Sequence, residues 1–335
     1  MFNLVIATIT LFLFIYEEPF FVLSTLLDKT LLVEFPEIDS TTLMALSPYF
    51  VTGFCDAESC FNVSVSKRIK STVGYVVQAR FVIELQLSDI DLLFKIQSFF
   101  KGIGTVTKDP VKNVCRFSVV SIKDINNLII PHFTEYPLQS AKSVDFSIWA
   151  QIVKLLNDKK HLTLAGLQQI VSLKATLNFG LSENLKKEFP NLSVLERPNY
   201  SPDNTILNPD WISGFVEGDG SFFITIKKEN NLVVAFLSIT LNIREKLLLT
   251  KIQDFFSGKG KLYIASKNVV QWKVFKLTDL ITISQHFVSH SLIGLKLKKF
   301  EIWREILPLI ENKSYLDLQG LTQINSLNDR LKKIP

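Results

Sequence analysis

The chain has 335 residues, enough for two cores of ordinary size, and 47% apolar against 21% charged residues excludes a disordered chain. A net charge of +5 permits an anionic partner without requiring one, because basic side chains act together only on a shared face. Cys55, Cys60 and Cys115 form no C-x-x-C pair, and His132, His161, His286 and His290 lack ligand spacing, so neither a disulfide framework nor a zinc site is suggested. Heavy use of Phe, Ile, Leu, Lys and Asn, all with A/T-rich codons, hints at an organellar genome.

Residues 1–44 form an apolar N-terminal extension. Its MFNLVIATITLFLFIY run is stopped by Glu17 and Glu18, short of a membrane span, and it lacks the marks of a signal or transit peptide. A weak anchor, a remnant of an upstream reading frame and a packed helix remain open; no stable membrane partner is expected. A first domain is expected over 45–190. Ser47-Pro48 places a capping side chain before a proline and predicts a helix. The stretch GFCDAESCF (53–61) follows, then the alternating strands FNVSVSKRI and YVVQARFVIELQL, a helix, turns at Gly102 and Gly104, a second strand pair, and helices around Trp149. Period two with one apolar face predicts sheets covered on one side only. Residues 191–208, with prolines and no periodicity, read as a linker.

The domain over 209–335 repeats this order. Asn208-Pro209 starts its helix, GFVEGDGSF (214–222) answers GFCDAESCF, and Gly258 and Gly260 answer Gly102 and Gly104. Gly53 precedes Gly214 by 161 positions and Trp149 precedes Trp303 by 154. A period this long is a tandem domain duplication rather than a solenoid.

The duplicated motif has its own chemistry. Gly53 and Ala57 share one helix face, as do Gly214 and Gly218, and small residues at that spacing let two helix backbones approach closely. The next residue on each helix is an acid, Glu58 or Asp219. Carboxylates at two adjacent helix C-termini face the negative dipole ends and each other. A divalent cation such as Mg²⁺ would relieve both problems and could act on a phosphodiester.

The stretches VTGFCDAES (51–59) and ISGFVEGDG (212–220) resemble the two signature helices of single-chain LAGLIDADG homing endonucleases. The resemblance spans roughly residues 45–334. It implies an α+β fold of two αββαββα domains about a pseudo-twofold axis, each with a saddle-shaped antiparallel sheet in the DNA major groove. It implies Glu58 and Asp219 as catalytic metal ligands, with Ser59, Gly218 and Gly220 around the metal, and Lys142 and Lys296 as candidates for a basic residue near the scissile phosphates. Candidate DNA-facing residues are Asn62, Ser64, Ser66, Arg68, Gln78, Arg80, Glu84 and Gln86 in the first sheet. In the second they are Phe223, Thr225, Lys227, Ser238, Thr240 and Asn242. Lys101, Lys108, Lys112, Lys259, Lys261 and Lys267 suit phosphate attraction.

Family members often carry a glutamine where this chain has Leu85 and Leu241, and Ser59 stands where the second copy has Gly220. The expectation is a monomeric, Mg²⁺-dependent, intron-encoded endonuclease of the mitochondrial matrix that cuts both strands of a long DNA site. The alternative is an RNA maturase acting on its host intron, with nuclease activity reduced or lost.

Overall fold

The computed structural model describes residues 46–335 except 194, 203–204 and 228–231; the N-terminal extension lies outside the described residues. The first half runs α1 (Pro48–Glu58), β1 (Ser59–Lys67), β2 (Tyr75–Gln86), α2 (Ile90–Phe99), β3 (Thr105–Asp109) and β4 (Val114–Val119). A helical stretch from Ile122 passes through a π-helical segment (Ile125–Ile129) into α3 (Ile130–Glu135), followed by α4 (Lys142–Asn157), α5 (Leu164–Thr176) and α6 (Glu183–Glu188). The second half repeats it: α7 (Pro209–Asp219), β5 (Gly220–Lys227), β6 (Leu232–Asn242), α8 (Lys246–Phe255), β7 (Lys261–Ser266), β8 (Val269–Val274), α9 (Leu277–Ser289), α10 (Leu295–Glu311) and α11 (Leu318–Lys333).

Each half holds one four-stranded antiparallel sheet, ordered β1-β2-β4-β3 and β5-β6-β8-β7. The alternation read from the sequence sends Phe61, Phe81, Ile83 and Phe117 into the first core, and Phe222, Leu237, Ile239 and Trp272 into the second. Trp149 on α4 packs 5.1 Å from Phe61, and Trp303 on α10 packs 5.1 Å from Phe222. Helices thus cover one face of each sheet and leave the other open.

The halves meet along α1 and α7, where backbone touches backbone. A Cβ on Gly53 would lie 2.0 Å from the Trp211 carbonyl oxygen, and one on Gly214 would lie 2.0 Å from that of Phe50. One turn on, a Cβ on Gly218 would sit 2.3 Å from that of Ala57. Beside the crossing, the Thr52 hydroxyl meets His132 Nε2 at 3.1 Å and the Ser213 hydroxyl meets His286 Nε2 at 3.3 Å. Burial lowers both imidazoles to a pKa of about 4, so they are neutral members of the packed layer.

Two local expectations need correction. The Asn208 side chain caps α7 by accepting from the Asp210 N–H at 2.8 Å, but Ser47 makes no side-chain cap bond, and Pro48 with its fixed φ opens α1 instead. The segment after residue 190 is more than a connector. Arg197 pairs with the buried Asp145 at 2.8 and 3.1 Å, the Tyr200 hydroxyl donates to the Gln139 carbonyl, and Leu207 enters the second core.

Because the atoms nearest Gly53 and Gly214 are backbone, an added methyl can be admitted only by moving a helix. Gly53→Ala and Gly214→Ala should each destabilise the fold by about 1–3 kcal/mol, measured as a lower denaturant midpoint. Ala57→Gly should cost no more than about 1 kcal/mol.

Candidate active site

The helix crossing carries Glu58 and Asp219, the last residues of α1 and α7, to the same place. Gly218 lies against the first acid: a Cβ there would stand 3.0 Å from Glu58 Cγ and 3.4 Å from its Oε1. Neither carboxylate accepts a hydrogen bond among the described residues. Burial pushes both up in pKa, and the Glu58 charge adds to the effect on Asp219, which rises to about 6. Two hard oxygen donors with no protein donor and a shared repulsion fit a Mg²⁺-like cation, which would complete its shell with water or phosphate oxygens. No group of three or more His, Cys, Asp or Glu side chains suited to a metal occurs among the described residues.

Lys142 and Lys296 occupy the first turns of α4 and α10 and reach back to the signature helices. Lys142 Nζ donates to the Cys55 and Ala57 carbonyls at 3.0 and 3.1 Å, and Lys296 Nζ to those of Gly218 and Gly220 at 3.0 and 2.6 Å. Each ammonium therefore sits on the negative end of a helix, next to the acid that the same dipole disfavours. Burial lowers both lysines' pKa while the nearby carboxylates oppose the shift.

The residues that hold these lysines were not singled out from the sequence. Asp56, the first acid of its motif, accepts from the Gln139 and Ser140 N–H groups at 2.7 and 3.1 Å and from Trp211 Nε1 across the interface at 2.9 Å. Its counterpart Glu217 accepts from the Ile293 N–H at 2.9 Å. These bonds fix the loops that lead into α4 and α10. The helix starts are capped from the opposite half: Glu245 accepts from the Ala141 N–H at 3.0 Å, and Asp89 from the Leu295 N–H at 3.1 Å. The signal was present, since LSDID and NIREK each place an acid just after the second strand.

Ser59 is buried and its hydroxyl donates to the Cys55 carbonyl at 2.7 Å. At Gly220 a Cβ would meet Val216 Cγ1 at 2.4 Å. The smaller Cys55, four residues before Ser59 as Val216 is before Gly220, leaves room for the serine. Leu85 and Leu241 point toward the cores and pack against them, so neither can order water as a glutamine would.

The open faces carry most of the predicted polar rows. Asn62 pairs in register with Arg80 and Ser64 with Gln78, while Ser66, Glu84 and Gln86 are exposed on the same face and Arg68 lies just past β1. In the second sheet Phe223, Thr225, Lys227, Thr240 and Asn242 share the open face. Ser238 does too but is only 4% exposed, and the Asn242 side chain caps the next turn by accepting from the Arg244 N–H. Lys101, Lys108, Lys112, Lys259, Lys261 and Lys267 lie on or beside the outer strands β3 and β7. Sequence reasoning missed Arg116, which pairs with Glu84 at 2.8 Å, and Gln271 and Lys273 on β8. Alternation in VCRFSV and VVQWKV would have found them.

The sequence model described as LAGLIDADG endonuclease matches residues 51–153 and 212–307. This chain belongs to the LAGLIDADG endonuclease family. It is 35% identical over 294 residues to "Probable intron-encoded endonuclease 3" of Neurospora crassa, an alignment that covers 86% of this chain but only 55% of that relative. It is 42% identical over 123 residues, 36% of this chain and 27% of the relative, to a protein in ND4 intron 1 of Podospora anserina. Among solved structures, the LAGLIDADG homing endonuclease I-LtrWI bound to target DNA superposes with a TM-score of 0.80 at 33% identity, covering 84% of this chain and 96% of that one. I-SmaMI bound to uncleaved DNA with calcium ions gives 0.82 at 31%, covering 86% and 99%.

In this LAGLIDADG protein the raised Asp219 pKa has a sign that can be tested. The folded chain holds that proton more tightly than the unfolded chain, so the ionised carboxylate opposes folding. The penalty is absent below the ordinary value of 3.8 and full above about 6, on the order of 2 to 3 kcal/mol. Metal-free Asp219→Asn should melt higher than the parent at about pH 8, and the gap should close by about pH 4. Thermal melts in chelator at both pH values check this.

Proposed function

We propose that the chain is a site-specific DNA endonuclease that uses a divalent cation, Mg²⁺ in the cell, to cut both strands of a long target. One observation carries this reading. Glu58 and Asp219, each from one copy of the duplicated motif, converge without protein hydrogen-bond donors between two sheets whose open faces bear polar and basic rows. When bound, the cation would polarise the scissile phosphate and promote attack by water. The chain's own residues position that chemistry: the glycine crossing sets the two carboxylates, Lys142 and Lys296 hold the helix ends, and the sheets align the duplex in its major groove.

Similarity to intron-encoded endonucleases and to homing endonucleases solved on DNA supports the DNA reading over an RNA maturase. An origin in a mitochondrial intron is supported by the heavy use of residue types whose codons are A/T-rich and by the relative in an ND4 intron. The exon junction flanking that intron would then be the first target to test.

Asp219→Asn and Glu58→Gln should each abolish cleavage of at least one strand while leaving DNA affinity within about threefold of the parent, about 0.7 kcal/mol. Gel assays with strand-specific labels and binding in calcium check both. Undiminished cutting of both strands by either variant would remove the assignment of these acids.

A further inference from the structure

The two open faces are chemically different at corresponding rungs. In the first sheet the pair opposite each other is Asn62 and Arg80, both exposed and both able to hydrogen-bond a base edge. In the second sheet the same rung holds Phe223 opposite Phe236. Their rings stack with centroids 4.8 Å apart and planes 15° from parallel. Lys273, from the neighbouring strand β8, places Nζ 4.0 Å from the Phe236 ring centroid and 5.3 Å from that of Phe223. The aromatic pair belongs to neither hydrophobic core, being on the opposite face of the sheet from Phe222, Leu237 and Ile239. Both rings are half-buried, with Lys273 against Phe236, in a face that also presents Thr225, Lys227 and Thr240 and, further along β6, the half-buried Val234 and Leu232.

A lysine-flanked apolar patch on the open face, with the two rings as its largest members, is matched best by an apolar group. The major groove of DNA offers one such group, the C5-methyl of thymine. We infer that Phe223 and Phe236 form a thymine-methyl receptor, so that the half-site under the second domain is read by apolar contact where the other half-site is read by hydrogen bonds. Lys273 holds the rings by a cation–π contact and adds sequence-independent attraction to a nearby phosphate. Four residues along an extended strand from Asp219 is about 13 Å, so the thymine lies within roughly four base pairs of the cleavage centre. This inference rests on the proposed DNA-endonuclease function and adds to it a base class at one position.

The test separates the two. The full chain, with calcium in place of magnesium, is used to select duplexes from a randomised library, and affinities for the recovered site are measured by fluorescence anisotropy. The expected result is a defined site with thymine at one position in this interval of one half. Replacing that thymine by uracil, which removes only the methyl, should weaken binding of the unmodified protein about fourfold, the worth of one buried methyl. Phe223→Ser should bind thymine and uracil duplexes alike. A defined site without thymine there, or equal affinity of the unmodified protein for both duplexes, overturns the receptor and leaves the rings as a cross-strand structural pair. Recovery of no defined site overturns the receptor and the endonuclease reading together. The uracil comparison uses unaltered protein, so it stands even if Phe223→Ser fails to fold.

Discussion

The contact on which everything else depends is the one between the backbones of α1 and α7. Gly53 and Gly214 admit a facing carbonyl oxygen at a distance no side chain would allow, and that approach brings the C-terminal ends of two helices together. Those ends are the worst place on a helix for a carboxylate and a good place for a cation. The chain puts Glu58 and Asp219 there, balances the dipoles with Lys142 and Lys296 on the last carbonyls, and leaves the acid oxygens without donors. A site of this kind stores unfavourable electrostatics in the apo protein, which ligand binding can relieve.

Much of this was legible in the sequence because duplication supplies its own control. A lone GFVEGDGSF is a polar turn, but two copies behind two proline-started helices specify which faces meet and which acids converge. Strand alternation was equally clear in the first copy, where Phe61 and Val63 alternate with Asn62 and Ser64, and weaker in the second, where Phe223 stands between Phe222 and Ile224. Less legible were features that need two distant segments at once. Asp89 and Glu245 look like ordinary acids at the start of a helix, and only the folded arrangement reveals that each caps a helix of the other half. The linker misled for a related reason: Arg197 has no periodic context, yet it finds the buried Asp145 some fifty residues earlier.

The two halves have also diverged in ways that local packing explains. Serine is tolerated at position 59 because Cys55 replaces the β-branched residue found at Val216, and the hydroxyl is then absorbed by the helix's own carbonyl. The substitution is therefore a packing adjustment within α1, and it leaves Glu58 on the same helix end as its counterpart. The leucines at 85 and 241 are of another kind, because they pack against the cores, and Leu85 turns an apolar surface to the cavity beside Glu58 and Lys296.

The exchanged caps bear on how such proteins can be recombined. Asp89 secures the start of α10 and Glu245 the start of α4, so each half supplies part of the other's scaffold. A chimera that joins one half of this chain to the complementary half of a relative inherits a seam with two such reciprocal contacts as well as the glycine crossing. Compatible partners can thus be chosen by reading two carboxylates and the loops they face, before any question of DNA specificity arises.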